Sequence, residues 1–473
     1  MKIKLPVRTA DVLDGVYTEG LRDELAFGNG DLFRVFDSIG IAGPFKTITP
    51  WELEDARGLK KINAGGYSAI PFGDQYPPLI EFIQGFLARD RTIGIPSQSI
   101  SHWRSALEAN LVGLLAQFAP SHADSRVFFS NSGAEAIETA LKFVKTARPK
   151  AKFIVNFKGA YHGKTFGALS LTPNEEYQIP FRPLMSDITT LPFGDLEAFA
   201  SAIKKIGADN ISAVILEPTQ GEAGVINPPE GFLSGVGELC RKHGIIVIAD
   251  EIQTGLGRTG HYFASIAAGL EPDIVTLAKP LGGGIIPIGA TIARKKIFNS
   301  LLAGLSSKLH SNTFGGNSLA MAIGIRCLEL IVDQDLPTRS AQLGKIGLER
   351  LYALKAKYPA LLEDVRGSGL LLAMQFRTVL PPKIVPGLEE IVSELSGILA
   401  VRTIYEGGVV ANFSISSKRV ARLTPALNIP EDVFERLISS VEQTIVSTKT
   451  ANTMLRKMPL DRLYRLARLG FAK

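Results

Sequence analysis

Two stretches end in residues able to do chemistry: GIIVIADEIQTG, residues 244 to 255, and DIVTLAKPLGGG, residues 273 to 284. Each opens as a continuous apolar run, the pattern of a strand buried on both faces of a parallel sheet. The first ends in Asp250 and Glu251, the second in Lys279. Open parallel sheets bind ligands at the carboxyl ends of their strands, so these charges are expected to gather at one edge. Turn glycines Gly255 and Gly257 and the triplet Gly282, Gly283 and Gly284 mark that edge as a place for a small ligand. A lysine ending a buried strand is partly desolvated, which lowers its pKa and suits it to Schiff-base formation. An aspartate facing a pyridine nitrogen keeps that nitrogen protonated and makes the ring an electron sink. Together they fit the chemistry of pyridoxal 5'-phosphate (PLP). The competing reading is an ordinary ion pair between Asp250 and Lys279, and other motifs must decide.

SNSGAEAIETALKFV, residues 130 to 144, follows the strand RVFF and opens a helix with Ile137, Ala140, Leu141 and Val144 on its apolar face. The backbone N–H groups of Gly133 and Ala134 belong to the helix amino end, an anion site in waiting. Helix capping alone also accounts for Ser132. In KGAYHGKTFGALSLT, residues 158 to 172, Tyr161 can stack on a flat ring or simply pack. AVILEPTQGEAGV, residues 213 to 225, is a strand ending in Glu217, followed by a loop carrying Glu222. Carboxylates at a third strand end favour one shared site. GLGRTG, residues 255 to 260, matches a dinucleotide-binding template, but the polar DEIQT separates it from its strand and the ribose-binding acid has no well-placed candidate before the next strand.

At 473 residues the chain can bury a large core. Its 45% hydrophobic and 21% charged composition is that of a globular protein. Two cysteines, Cys240 and Cys327, fit a reducing compartment, and six scattered histidines give no metal-ligand spacing. MKIKLPVRTADVLDG carries no apolar signal region and no run is long enough to span a bilayer, so cytoplasm is the default. In residues 451 to 473, Arg456, Lys457, Arg462, Arg465, Arg468 and Lys473 oppose Asp461 alone, so the tail holds +5 of the net +6. A nearly neutral body argues against nucleic acid as a partner.

Strand and helix patterns alternate over 125 to 300: RVFFSN, FIVNF, AVILEP, IIVIADE, DIVTLAK and GATIAR. The fold predicted is α/β, a large domain with a mostly parallel sheet flanked by helices plus a smaller α+β carboxyl-terminal domain. The division expected is an amino-terminal segment 1–50, a part of the small domain with connecting helices 51–125, a cofactor domain 126–330, a small domain 331–447 and a basic tail 448–473. Residues 51 to 73 read as a hairpin and a glycine-rich loop, and helices are expected over about 78–88, 103–118 and from 316.

NSGAEA, YHGKT, EPTQGEAG, ADEIQTGLGRTG, LAKPLGGG and SNTFGGN occur in the order and spacing of the class III (ω-) aminotransferases, PLP enzymes of fold type I. The resemblance covers about residues 50 to 445. It implies Lys279 as the cofactor-bound lysine and proton shuttle, and Asp250 as the partner of the pyridine nitrogen. It places Gln253 near the phenolic oxygen, Gly133 and Ala134 at the phosphate, Tyr161 on the ring and Glu217 among the cofactor surroundings. Thr313 resembles the residue reaching the phosphate of the neighbouring subunit, which implies a homodimer and leaves a tetramer open. Glu222 and Arg422 resemble a gate in which the arginine binds the oxo-acid carboxylate and the glutamate masks it.

Lys164 departs from the arginine usual in ornithine, acetylornithine and 4-aminobutyrate aminotransferases, where it clamps the donor's distal carboxylate. A lysine is a point charge and a poorer planar clamp. Putrescine aminotransferases carry lysine here and are also similar in LGGGIIPIGATIA and YPALLEDVRGSGLLLAMQF. The expectation is therefore transfer from a putrescine-like diamine to 2-oxoglutarate. The alternative is an acetylornithine/ornithine or 4-aminobutyrate type enzyme; a non-catalytic transaminase-like binding protein and an NAD-dependent oxidoreductase are the remoter ones. PFGDQYPP, residues 71 to 78, lacks the Gly-His usual in its loop. The tail from Leu455 to Phe471 repeats Leu460, Leu463, Leu466 and Leu469 among arginines. It is expected to pack on its own subunit or dimer mate, with membrane or acidic-protein contact as the other reading.

Overall fold

A computed structural model describes residues 6–16, 18–89, 99–380, 389–462, 464 and 465. Seven strands form its largest sheet, in the spatial order Arg126–Ser130, Gly289–Ala293, Ile274–Leu277, Ile246–Asp250, Ile211–Leu216, Phe153–Phe157, Ile188–Leu191. The strand Gly289–Ala293 runs antiparallel to both its neighbours, and the other pairs are parallel. This is the α/β fold with a mostly parallel sheet that the alternating pattern requires.

Side-chain alternation divides the sheet between two helical layers. Ile154, Ala213, Ile215, Ile246, Ile248 and Ile274 face one core, which the helix Gly133–Ala147 closes with Ile137, Ala140, Leu141 and Val144. Val155, Phe157, Val214, Leu216, Val247 and Ala249 face the other, closed by Phe199 and Ile203 of Leu196–Ile206 and by Phe232, Leu233 and Val236 of Phe232–His243. Burial on both faces explains why these strands read as unbroken apolar runs. Each fully buried Val, Ile or Leu contributes about 1.5–3 kcal/mol, which fixes the register and so the placement of every strand end.

Two four-stranded sheets complete the chain. One pairs Leu362–Ser368, Leu371–Phe376, Val420–Leu423 and Asn412–Phe413, all antiparallel. The other is a meander of Lys46–Thr49, Glu52–Glu54 and Lys60–Asn63, joined in parallel by Val409–Val410. The hairpin expected from residue 51 thus begins earlier and has three strands. Helices Pro77–Ala88, His102–Phe118 and Ser318–Asp333 stand close to where their patterns place them.

Three helices stand before residue 50: Thr9–Leu13, Gly20–Phe27 and Gly30–Ile39. The first two bury no residue, which is why no clear apolar stripe marks them. At the other end, Ala451–Arg456 buries Ala451 and Met454, and Arg465 pairs with Asp37 at 3.5 Å. Of the expected leucine repeat, Leu463, Leu466 and Leu469 lie outside the described residues. No helix among the described residues is long and apolar enough to cross a membrane, and none of them form a metal-ligand cluster.

Candidate active site

Four neighbouring strands end at one edge of the large sheet: Phe153–Phe157 leads to Tyr161, Ile211–Leu216 to Glu217, Ile246–Asp250 finishes on Asp250, and Ile274–Leu277 leads to Lys279. There they line a cavity of about 470 Å³ with Gly133, Ala134, His162, Lys164, Glu222, Ile252 and Gln253. Of the residues that the family resemblance assigns to the site, Arg422 and Thr313 are not on its wall. Arg422 is buried behind Glu222, and Thr313 is exposed on the loop before Ser318.

Asp250 and Lys279 are not ion-paired to each other. Asp250 Oδ2 stands 2.7 Å from His162 Nδ1, while Oδ1 accepts the Ile252 N–H at 3.1 Å. Burial lowers the Lys279 pKa, an effect opposed by Glu222, Asp250 and Glu217 and reinforced by Arg422. A half-buried amine of lowered pKa that shares a cavity with an anchored carboxylate but does not pair with it is suited to act as a nucleophile, so the plain ion-pair reading fails here. Glu251, expected with Asp250 at the cavity, faces away. The strand alternation turns it to Ser265 and Thr254, with Ser265 N–H and Oγ both 2.6 Å from its Oε1.

Ser132 caps the helix Gly133–Ala147 through its hydroxyl, which accepts the Glu135 N–H at 3.2 Å, and Glu135 answers by accepting the Asn131 N–H at 2.6 Å. Capping therefore does occupy the serine. The first-turn N–H groups at Gly133 and Ala134 still stand at the cavity, where no helical carbonyl lies behind them. A Cβ on Gly133 would come within 2.8 Å of Ile252 Cδ1, and one on Gly163, at φ +127°, within 2.8 Å of Ala134 Cβ. Both glycines keep the amino end of the helix open.

Glu217 accepts the N–H groups of Tyr161 at 2.9 Å and Gly221 at 3.1 Å, and burial pushes its carboxyl up. Burial also raises the Tyr161 phenol, helped by Glu222 and Glu217. The Gln253 amide is buried with neither its nitrogen nor its oxygen satisfied, and His162 Nε2 is likewise unpartnered. Buried polar atoms with nothing to bond are costly, and a polar ligand in the cavity is the natural way to satisfy them.

Arg422 and Glu222 form a fully buried pair. Nη2 lies 2.8 and 2.9 Å from the two carboxylate oxygens, and the guanidinium also donates to the carbonyls of Phe413 and Gly221. The Tyr67 ring sits 5.5 Å from Arg422 Cζ. Ile415 N–H donates to Glu222 Oε2 at 3.1 Å. Further out, Lys164 is exposed and its ammonium rests 4.3 Å above the Tyr177 ring. GLGRTG is a turn that buries Arg258 against the carbonyls of Leu370 and Pro425, with no helix amino end to hold a pyrophosphate.

Sequence reasoning missed His162, Ile252, Tyr67 and Tyr177 as parts of this region. His162 stands beside the singled-out Tyr161, and Ile252 lies two residues after Asp250. Nothing local signals that Asp250 is held from 88 positions away.

The PLP-bound crystal structure of an amine transaminase from an uncultivated Pseudomonas species is similar, with 26% identity, a TM-score of 0.75, and 85% of this chain and 94% of that one covered. The ornithine aminotransferase of Toxoplasma gondii ME49 gives 25% identity, a TM-score of 0.78 and coverage of 93% and 99%. The acetylornithine aminotransferase of Elizabethkingia anophelis gives 28%, 0.70, and 86% and 94%. The model of the class-III aminotransferases matches residues 53 to 445, a span that includes the four strand ends and Lys279. This chain belongs to that family of PLP-dependent transaminases.

Proposed function

We propose that this transaminase takes the terminal amino group of a putrescine-like diamine and passes it to 2-oxoglutarate. The observation that carries the donor assignment is Lys164, a point charge resting on Tyr177 where a carboxylate-binding site calls for a planar fork. An ω-amino acid has a distal carboxylate to be gripped, and a diamine has none. Arg422 supplies the grip for the acceptor, whose carboxylate takes over the place of Glu222 on the guanidinium.

The residues fit the cofactor by the unsatisfied Gln253 amide, the open helix amino end and the desolvated lysine. Lys279 would hold it covalently, Gly133 and Ala134 its phosphate, Asp250 its ring nitrogen, Tyr161 and Ile252 its faces, Gln253 its phenolic oxygen, with Glu217 fixing the backbone beneath. When bound, PLP supplies an aldehyde that takes up the amino group and a ring that accepts electrons from the substrate carbon. With the group bound, the Lys279 amine would be the base that carries a proton at the substrate carbon, a task its lowered pKa favours. His162 keeps Asp250 in register, and buried Glu217 holds the Tyr161 loop.

The functional unit proposed is a homodimer in which Thr313 reaches the partner's phosphate site. Its loop carries the exposed apolar side chains Leu305, Leu309 and Phe314, the first 94% exposed, a surface that a second subunit can cover. The test is a donor panel with 2-oxoglutarate followed by PLP absorbance. Putrescine and cadaverine are expected to exceed ornithine, acetylornithine and 4-aminobutyrate, and equal or faster turnover of acetylornithine would overturn the donor assignment.

A further inference from the structure

The Lys164 ammonium is not loose at the cavity mouth: it occupies a defined seat. Beneath it, at 4.3 Å, lies the Tyr177 ring, and the Tyr177 hydroxyl donates to the Ile415 carbonyl at 3.3 Å, which fixes the ring plane. Glu176, Glu222 and Glu394 are near enough to act on the phenol, which burial and these charges push up to about 12, so the ring stays neutral. Lys418 spans Glu176 and Glu394 at 3.7 and 3.8 Å, and Arg422 balances Glu222. The Lys164 ammonium covers this ring face.

We propose that the Tyr177 ring face is the recognition site for the distal ammonium of the donor, and that Lys164 is its resident placeholder. This rests on the diamine reading and adds to it the residue that chooses the donor. An ammonium arriving on the ring displaces an exposed lysine into water, so one cation replaces another and the charge balance is kept. A distal carboxylate gains nothing on the negative face of a ring, and an uncharged alkyl end leaves Lys164 where it is. Tyr177 is thus a specificity residue. Its carbonyl partner Ile415 also donates to Glu222, so the donor seat and the Arg422 pair share one loop.

The experiment compares kcat/KM for putrescine with that for butylamine, which has the same carbon chain and no second ammonium, in the holoenzyme. A ratio within one variant does not depend on how much of the preparation is active. Lys164→Met vacates the seat and is expected to raise the ratio by roughly threefold to tenfold. Tyr177→Leu, alone or with Lys164→Met, is expected to lower it by roughly threefold to thirtyfold, the range of a cation–π contact, while Tyr177→Phe keeps it near wild type. An unchanged ratio in Tyr177→Leu, or a lower one in Lys164→Met, overturns the assignment; the second arm alters an exposed side chain and decides even if Tyr177→Leu does not fold. Preference of the wild type for ω-amino acids over both amines would remove the diamine reading and this seat with it. Diamine preference with an unaltered ratio would remove the seat alone.

Discussion

Replacing Glu222 by glutamine separates two roles that one ion pair can play. Arg422 is fully buried and both oxygens of Glu222 lie within 2.9 Å of its Nη2. Removing one member of a buried pair costs about 3–5 kcal/mol when nothing else holds the charge left behind. Here the carbonyls of Phe413 and Gly221 remain on the guanidinium, so the loss is set nearer ~2 kcal/mol. In the wild type, an incoming carboxylate must first displace Glu222. In Glu222→Gln it meets an arginine without a competing anion, and about 1.4 kcal/mol of that difference lowers KM for 2-oxoglutarate by about tenfold. The two half-reactions are followed separately by cofactor absorbance, with amine or oxo acid in excess. The gate predicts a lower KM in the oxo-acid half and stronger inhibition of the amine half by glutarate. If both halves slow equally and the oxo-acid KM does not fall, Glu222 serves only to neutralise Arg422, and the reasoning fails.

Lys164→Arg should improve use of ω-amino acids by roughly fivefold through a planar, bidentate grip, read as kcat/KM for 4-aminobutyrate; no change would place residue 164 away from the donor. His162→Ala leaves Asp250 Oδ2 without its buried partner, and PLP affinity is expected to fall by about tenfold in a spectrophotometric titration. Burial sets the Lys279 pKa below its ordinary 10.5, so apoprotein should take up PLP with a rate that levels off below that pH. The unfolded chain binds the proton more tightly in that window, so Lys279 adds stability as pH rises from the lowered value to 10.5, and this gain is lost on the way down; apoprotein denaturation at graded pH, compared with Lys279→Met, reads it. Thr313→Ala should make cofactor loss on dilution faster, whereas an unchanged loss would show that the loop does not reach a partner's phosphate site.

What the sequence made legible follows from where local rules and tertiary packing agree. Apolar runs marked six of the seven central strands, and their charged ends marked Glu217, Asp250 and Lys279. The seventh strand, Ile188–Leu191, has no buried residue and hence no apolar run to betray it. Glu251 follows Asp250 at the charged end of one apolar run, yet successive side chains face opposite ways. The His162–Asp250 bond and the Tyr67–Arg422 contact join residues far apart in the chain, and only the sheet order creates them. The early helices Thr9–Leu13 and Gly20–Phe27 bury nothing and left no periodic trace.

Lys279 is the proposed point of covalent attachment. Incubation of the protein with PLP, reduction with borohydride and mass spectrometry of the digested protein test it most directly. The predicted result is a single pyridoxyl-modified peptide carrying the label on Lys279, absent from Lys279→Ala; a label seated on another lysine, or none on a protein that still transaminates, would contradict it.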